Sequence, residues 1–204
     1  VLPLAGGGGD LHLMRAESPG PSVSKLVPRS NKTARILYGI YLAMTVTEIV
    51  LLLIGGMPLF DSITISFGTA GTGGFGVLNS SIASYSKFCQ IVITVFMTLF
   101  GINFNIYFLL IFRKFKSALK SSELWCYLGI MATAIITITI NIRNYFDNIF
   151  EAFHHAAFQV SSVMTTTGFS TADFDKWPEM SRTMLLMVMC IGACAGSTGG
   201  GFKV

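Results

Sequence analysis

The sequence predicts an all-α membrane protein containing a helical unit that occurs twice. Three observations carry this prediction. The 204 residues are 52% hydrophobic and only 12% charged, about half the charged share of an ordinary soluble domain, and the mean hydropathy is +0.65. Apolar segments approach the roughly 20 residues that a helix needs to cross the hydrocarbon core. The same order of apolar span, short amphipathic stretch, Gly/Thr-rich loop and apolar span is met twice along the chain.

The four apolar segments run from Ile36 to Ile54, Ile91 to Phe112, Leu124 to Ile142, and Met184 to Ala195 with a glycine-rich continuation. The formal net charge of +4 invites a nucleic-acid reading, but the basic residues sit in connections. Arg15, Lys25, Arg29, Lys32 and Arg35 precede the first span, and Arg113, Lys114, Lys116 and Lys120 separate the second from the third. Two spans lie between the clusters, so the positive-inside rule puts both clusters in the cytoplasm and the loops near 56–86 and 143–182 outside. Cys89, Cys126, Cys190 and Cys194 lie in or beside apolar spans, where cysteine packs as a small hydrophobe. Val1 to Asp10 lacks the basic start of a signal peptide. It reads as the tail of a preceding helix, and both ends read as cuts in a longer chain.

Phe60-Asp61-Ser62-Ile63 opens the first short stretch and Phe146-Asp147-Asn148-Ile149 the second. Phe60, Ile63 and Phe67 have helical spacing, and Asp61 and Asp147 are expected as caps or first-turn charges. A helix of about ten residues is only about 15 Å long, so it dips halfway into the bilayer and the chain must return. The returning segments are Gly71-Thr72-Gly73-Gly74-Phe75 and Thr165-Thr166-Thr167-Gly168-Phe169. Irregular backbone at membrane depth is tolerated only inside protein or along a wet cavity. Carbonyl oxygens of such loops can replace the hydration shell of a cation, glycine lets the backbone turn them toward an axis, and threonine adds a hydroxyl. The plainer reading is a turn-rich loop that binds nothing; the matched second copy weighs against it.

With these loops the chain resembles the Trk/Ktr/HKT superfamily of potassium transporters, of the TrkH/TrkG type. The resemblance extends to Ala16-Glu17-Ser18-Pro19-Gly20-Pro21, Lys25-Leu26-Val27-Pro28-Arg29, Gly55-Gly56-Met57-Pro58-Leu59-Phe60-Asp61 and the terminal Ala195-Gly196-Ser197-Thr198-Gly199-Gly200-Gly201-Phe202-Lys203-Val204. It implies four membrane-pore-membrane repeats around a pseudo-fourfold axis, as in a potassium channel. Residues 1–35 would then be the end of the preceding repeat and a cytoplasmic linker, 36–112 the second repeat, 113–123 a second linker, and 124–204 the third repeat, truncated at its end. The resemblance assigns the selectivity filter to Thr72, Gly73, Gly74, Thr166, Thr167 and Gly168, with potassium as the transported ion and no cofactor. It also implies a gating intramembrane loop at Gly192, Gly196, Ser197, Thr198, Gly199, Gly200 and Gly201. So many glycines suit a broken helix, since each costs about 1 kcal/mol relative to alanine in a helix interior. The resemblance further implies a multi-pass protein of the bacterial inner membrane, a homodimer, and a cytoplasmic nucleotide-binding regulatory subunit, with lipid around it and no nucleic acid. The first and fourth loops of the family pattern are missing, which leaves a truncated, non-transporting fragment as the alternative.

Other polar residues carry less. Glu48 lies mid-span, where a carboxylate costs roughly 2.5–3.5 kcal/mol on insertion scales; a vestibule charge, an ion pair and an interhelical hydrogen bond all remain open. Asn103 and Asn105 suit interhelical hydrogen bonds. Adjacent His154 and His155 diverge on a helix, and Cys190 and Cys194 have no further ligands, so neither pair makes a metal site. Asp173, Asp175 and Glu179 either focus cations at an outer mouth or line a solvated loop, with Trp177 as an interfacial anchor. An enzymatic reading of Gly196 to Lys203 fails, because a phosphate-cradling loop needs Gly-Lys-Ser/Thr between a strand and a helix. Here Phe202 separates Gly201 from Lys203 and the segment follows an apolar span.

Overall fold

The computed structural model describes residues 30–203, so the motifs at 16–21 and 25–29 and the basic residues before Ser30 lie outside the described residues. Among the described residues the regular structure is entirely helical. Helix α1 (Ser30–Ile54) is 25 residues long, about 37 Å at 1.5 Å per residue, and shows Tyr38, Leu42, Val46 and Val50 on its outer face while burying Thr45, Glu48 and Leu52. It stops at Gly56, whose φ is +83°. The Met57 amide bonds the Leu52 carbonyl and the Gly56 amide the Leu53 carbonyl, the paired bonds of a glycine-terminated helix.

Helix α2 (Leu59–Ala70) follows at once. Asp61 lies in its first turn, and its carboxylate accepts a 2.8 Å bond from the Tyr85 hydroxyl. After a loop, the Ser86 hydroxyl caps helix α3 (Lys87–Phe100) by accepting from the Cys89 amide. The span expected from Ile91 to Phe112 is not one helix. It breaks at residues 101–103 and continues as α4 (Phe104–Ile111) at 89° to α3. The Asn103 side chain caps α4 by accepting from the Asn105 amide, and a side chain that captures its own backbone favours such a restart.

A short helix α5 (Phe115–Leu119) leads to α6 (Ser122–Ile142). Helix α7 (Ile149–Met164) has 16 residues rather than about ten, giving about 24 Å of rise. It starts beyond Asp147 because Phe146 and Asn148 are extended; Glu151, not Asp147, supplies its first-turn acid. Helix α8 (Glu179–Ile191) ends at Gly192, short of the expected Ala195. By length and composition two helices can cross a membrane, within Thr33–Ile54 and Ser122–Tyr145, or three spans if the bent α3–α4 pair is one. Among the described residues, four uninterrupted spans are therefore not formed.

One buried core joins α1, α2 and α3, and a second joins α6, α7 and α8. Phe158 and Phe169 of the later unit lie in the core of the earlier one, which fixes the two loops beside each other. Trp177, expected at an interface, is 4% exposed and belongs to the second core.

Candidate functional site

The two Gly/Thr loops have one backbone design, displaced by 94 residues. The Thr72 amide bonds the Thr69 carbonyl at 3.2 Å, and the Thr166 amide bonds the Val163 carbonyl at 3.1 Å. Gly73 and Gly74 share the Gly68 carbonyl (2.8 and 3.5 Å), just as Thr167 and Gly168 share that of Ser162 (2.8 and 3.3 Å). The dihedrals repeat as well: φ is +49° at Thr72 and +57° at Thr166, then +64° at Gly74 and +92° at Gly168. Left-handed threonines are costly because Cβ crowds the carbonyl that follows, and two at corresponding positions mark a constrained backbone.

These turns point the loop amides back at their own helix ends. Among the described residues, the carbonyl oxygens of Thr72, Gly73, Gly74, Thr166, Thr167 and Gly168 accept no hydrogen bond. A carbonyl without a partner inside a membrane protein needs water or a cation to satisfy it.

The threonine hydroxyls, expected to face an ion beside the carbonyls, have protein partners. Thr72 donates to the Thr198 carbonyl at 3.1 Å or to that of Gly71 at 2.8 Å. Thr166 accepts from the Gly200 amide at 2.7 Å, and the hydroxyls of Thr165 and Thr167 lie 2.8 Å apart. Backbone oxygen is thus the ligand chemistry that the loops leave without any protein partner. Ser162 braces the later loop, donating to the Phe169 carbonyl at 2.6 Å and accepting from Gly168 at 3.1 Å.

The loops touch through glycine. A Cβ on Gly74 would lie 2.0 Å from the Thr167 carbonyl oxygen, whereas one on Gly168 would meet no atom within 4 Å. The glycine-rich segment 192–201 turns back on itself, with the Gly192 and Gly201 backbones in contact. It packs against both loops through Thr198 and Gly200. Gly192, Gly196 and Gly201 all have positive φ. Ser197 donates to the Cys194 carbonyl, and Gly199 lies against Ala193 and the Thr165 carbonyl.

Around this centre the polar residues brace backbone. The Gln90 amide donates to the carbonyls of Ile82, Ala83 and Tyr85, and its oxygen lies 2.7 Å from His154 Nε2. His155 Nδ1 lies 2.9 Å from the Thr171 hydroxyl, and Lys87 pairs with Glu151 at 2.5 Å. Asp173 caps a short turn and pairs with Lys176 at 3.1 Å. Asn103 donates to Glu123 at 3.1 Å, an interhelical bond of the expected kind. Glu48 is fully buried beside Thr69, and among the described residues neither carboxylate oxygen makes a hydrogen bond that meets ordinary geometry. An ion pair is therefore not its role within these residues.

These braces predict an acid limb of stability. Burial is the main cause holding His154 and His155 below the usual 6.5, and the hydrogen bond from Lys87 leads the causes holding Glu151 below 4.5. For groups depressed by folding, the stabilisation is complete above the unfolded value and fades as pH falls through the folded one. Thermal stability in detergent is expected to fall on acidification below about 6.5, and more shallowly in His155→Gln.

Residues 122–204 match the family described as TrkH, cation transport protein. The Trk system potassium uptake protein TrkH of Salmonella typhimurium is 37% identical over 209 residues, an alignment that takes in this whole chain and 43% of that protein. TrkG of Escherichia coli is 34% identical over 207 residues, again with the whole chain and 42% of the relative. The chain thus spans about two fifths of the curated relatives it matches. The crystal structure of the potassium transporter TrkH from Vibrio parahaemolyticus superposes with a TM-score of 0.80 and 31% identity, covering 89% of this chain and 40% of that one. In sequence along its whole length and in backbone over most of it, the chain is similar to potassium uptake proteins of the TrkH/TrkG type.

Proposed function

We propose that the chain supplies two of the filter loops of a potassium-uptake protein in a bacterial inner membrane, residues 36–112 and 124–204 being two membrane-pore-membrane repeats joined by a cytoplasmic linker at 113–123. Potassium sheds water and is held by the backbone oxygens of Thr72, Gly73, Gly74, Thr166, Thr167 and Gly168. The segment Gly192 to Gly201 gates passage beneath them. The observation that carries this reading is the shared hydrogen-bond design of the two loops, which leaves the same carbonyls unpaired in both. The names of the relatives, potassium uptake proteins of the Trk system, support the choice of ion, and no catalytic step or cofactor belongs to the reading. The complete protein works as a homodimer with a cytoplasmic nucleotide-binding regulatory subunit.

Rubidium uptake in cells stripped of their own potassium systems tests this. The complete protein containing this segment is expected to restore uptake, with rubidium favoured over sodium. Wild-type discrimination in a Gly168→Ser variant would overturn the filter assignment. Uptake by the complete protein but not by the 204 residues alone means that the remaining loops are required to close the pore.

A further inference from the structure

The α3–α4 break leaves backbone groups that a continuous helix would have paired internally, and the 192–201 segment takes them up. The Phe100 carbonyl accepts from both the amide and the hydroxyl of Thr198, at 3.3 and 3.2 Å. The Gly101 carbonyl accepts from the Cys194 amide at 3.1 Å, and the Phe104 amide donates to the Gly196 carbonyl at 3.2 Å. Asn103, the cap of α4, lies directly against Gly196, where a Cβ would come within 3.1 Å of the Asn103 oxygen. Gly101 makes the break compact: a Cβ there would meet the Tyr127 hydroxyl at 2.4 Å and Thr165 at 2.8 Å. A displacement of 94 residues carries 101–103 onto 195–197, so both units are interrupted at corresponding places and the two interruptions bond to each other.

Thr198 holds a particular place in this seam. Its amide and hydroxyl serve the broken helix, while its carbonyl accepts from Thr72 of the earlier filter loop. We propose that the α3–α4 break is the seat of the gate segment and that Thr198 is the positioning residue that holds the segment in its resting place, tying it to the earlier filter loop. The proposal rests on the reading of 192–201 as the gate. It adds that the resting position is set by the other repeat, through two carbonyls and one amide of the break and its flanks, and not by the segment's own glycines alone.

In the complete protein, Thr198→Val removes the hydroxyl donor and keeps the side-chain shape. Unstimulated rubidium uptake is expected to rise roughly five-fold, the weight of one net intramolecular hydrogen bond, with the rubidium-to-sodium ratio unchanged. Thr198→Ser keeps the donor and is expected to behave as wild type. Amide exchange across 192–203 is expected to quicken in Thr198→Val and not in Thr198→Ser, a readout that needs no transport. Wild-type uptake and exchange in Thr198→Val would overturn the seat. A Gly74→Ala control separates the two readings: altered ion discrimination in that control with an inert Thr198→Val refutes only the seat, and inert results in both refute the filter as well.

Discussion

Gly74→Ala in the complete protein is expected to lower discrimination of potassium over sodium by at least about ten-fold and to lower its thermal stability. The left-handed backbone at φ +64° costs an alanine about 1–2 kcal/mol on its own. The larger effect is contact. The new Cβ would lie 2.0 Å from the Thr167 oxygen and 3.0 Å from the Thr167 carbonyl carbon, and a backbone atom cannot swing aside as a flexible side-chain end can. One loop must therefore shift against the other, and a filter that replaces hydration with fixed carbonyls loses its match to the ion when they move. Gly168→Ala is the informative comparison. It has the same kind of strain at φ +92° but open space around its Cβ, so its stability loss should be smaller. Paired rubidium and sodium uptake and melting curves of the two purified variants check both statements, and equal losses would show that strain, not contact, is what matters at Gly74.

Gly192→Ala is expected to free the segment proposed as the gate while leaving ion discrimination near wild type. At φ +77° and ψ −166° Gly192 occupies a region essentially reserved for glycine, where another residue costs of order 1–3 kcal/mol. A Cβ would also stand 2.6 Å from the Gly200 oxygen and 2.8 Å from the Gly201 Cα. The turn that closes the segment on itself cannot form with that group in place. Uptake that no longer shuts off, together with a melting point lowered by several degrees, is the expected result. A variant that melts and gates as wild type would show that the turn is not needed.

The repeated order of long helix, short helix, Gly/Thr loop and second helix was legible because each step has a compositional mark: apolar length, helical spacing of Phe60, Ile63 and Phe67, then glycine. The break at 101–103 was not. Gly101 and Asn103 are single residues inside an apolar run whose summed hydropathy reads as one span, and the bend becomes favourable only where Cys194, Gly196 and Thr198 arrive from far along the chain to satisfy its backbone. The signal that existed was the pair itself, a glycine followed two residues later by a strong N-cap residue. Trp177 misled for a related reason. A tryptophan beside acids suits a membrane interface, but Trp177 is drawn into the buried core of the later unit. The protein partners of the threonine hydroxyls were not legible, because spacing says nothing of a partner 126 residues away, as for Thr72 and Thr198.

The bonds between residues 194–198 and the α3–α4 bend also set an order of assembly. A chain made from its N-terminus completes the earlier loop and the α3–α4 bend long before Thr198 emerges. Until then the Phe100 and Gly101 carbonyls and the Phe104 amide have no protein partner from the later segment, a costly state for backbone in an apolar medium. A chain that stops before about residue 194 leaves these groups to water or lipid headgroups, since the residues that bond them have not been made.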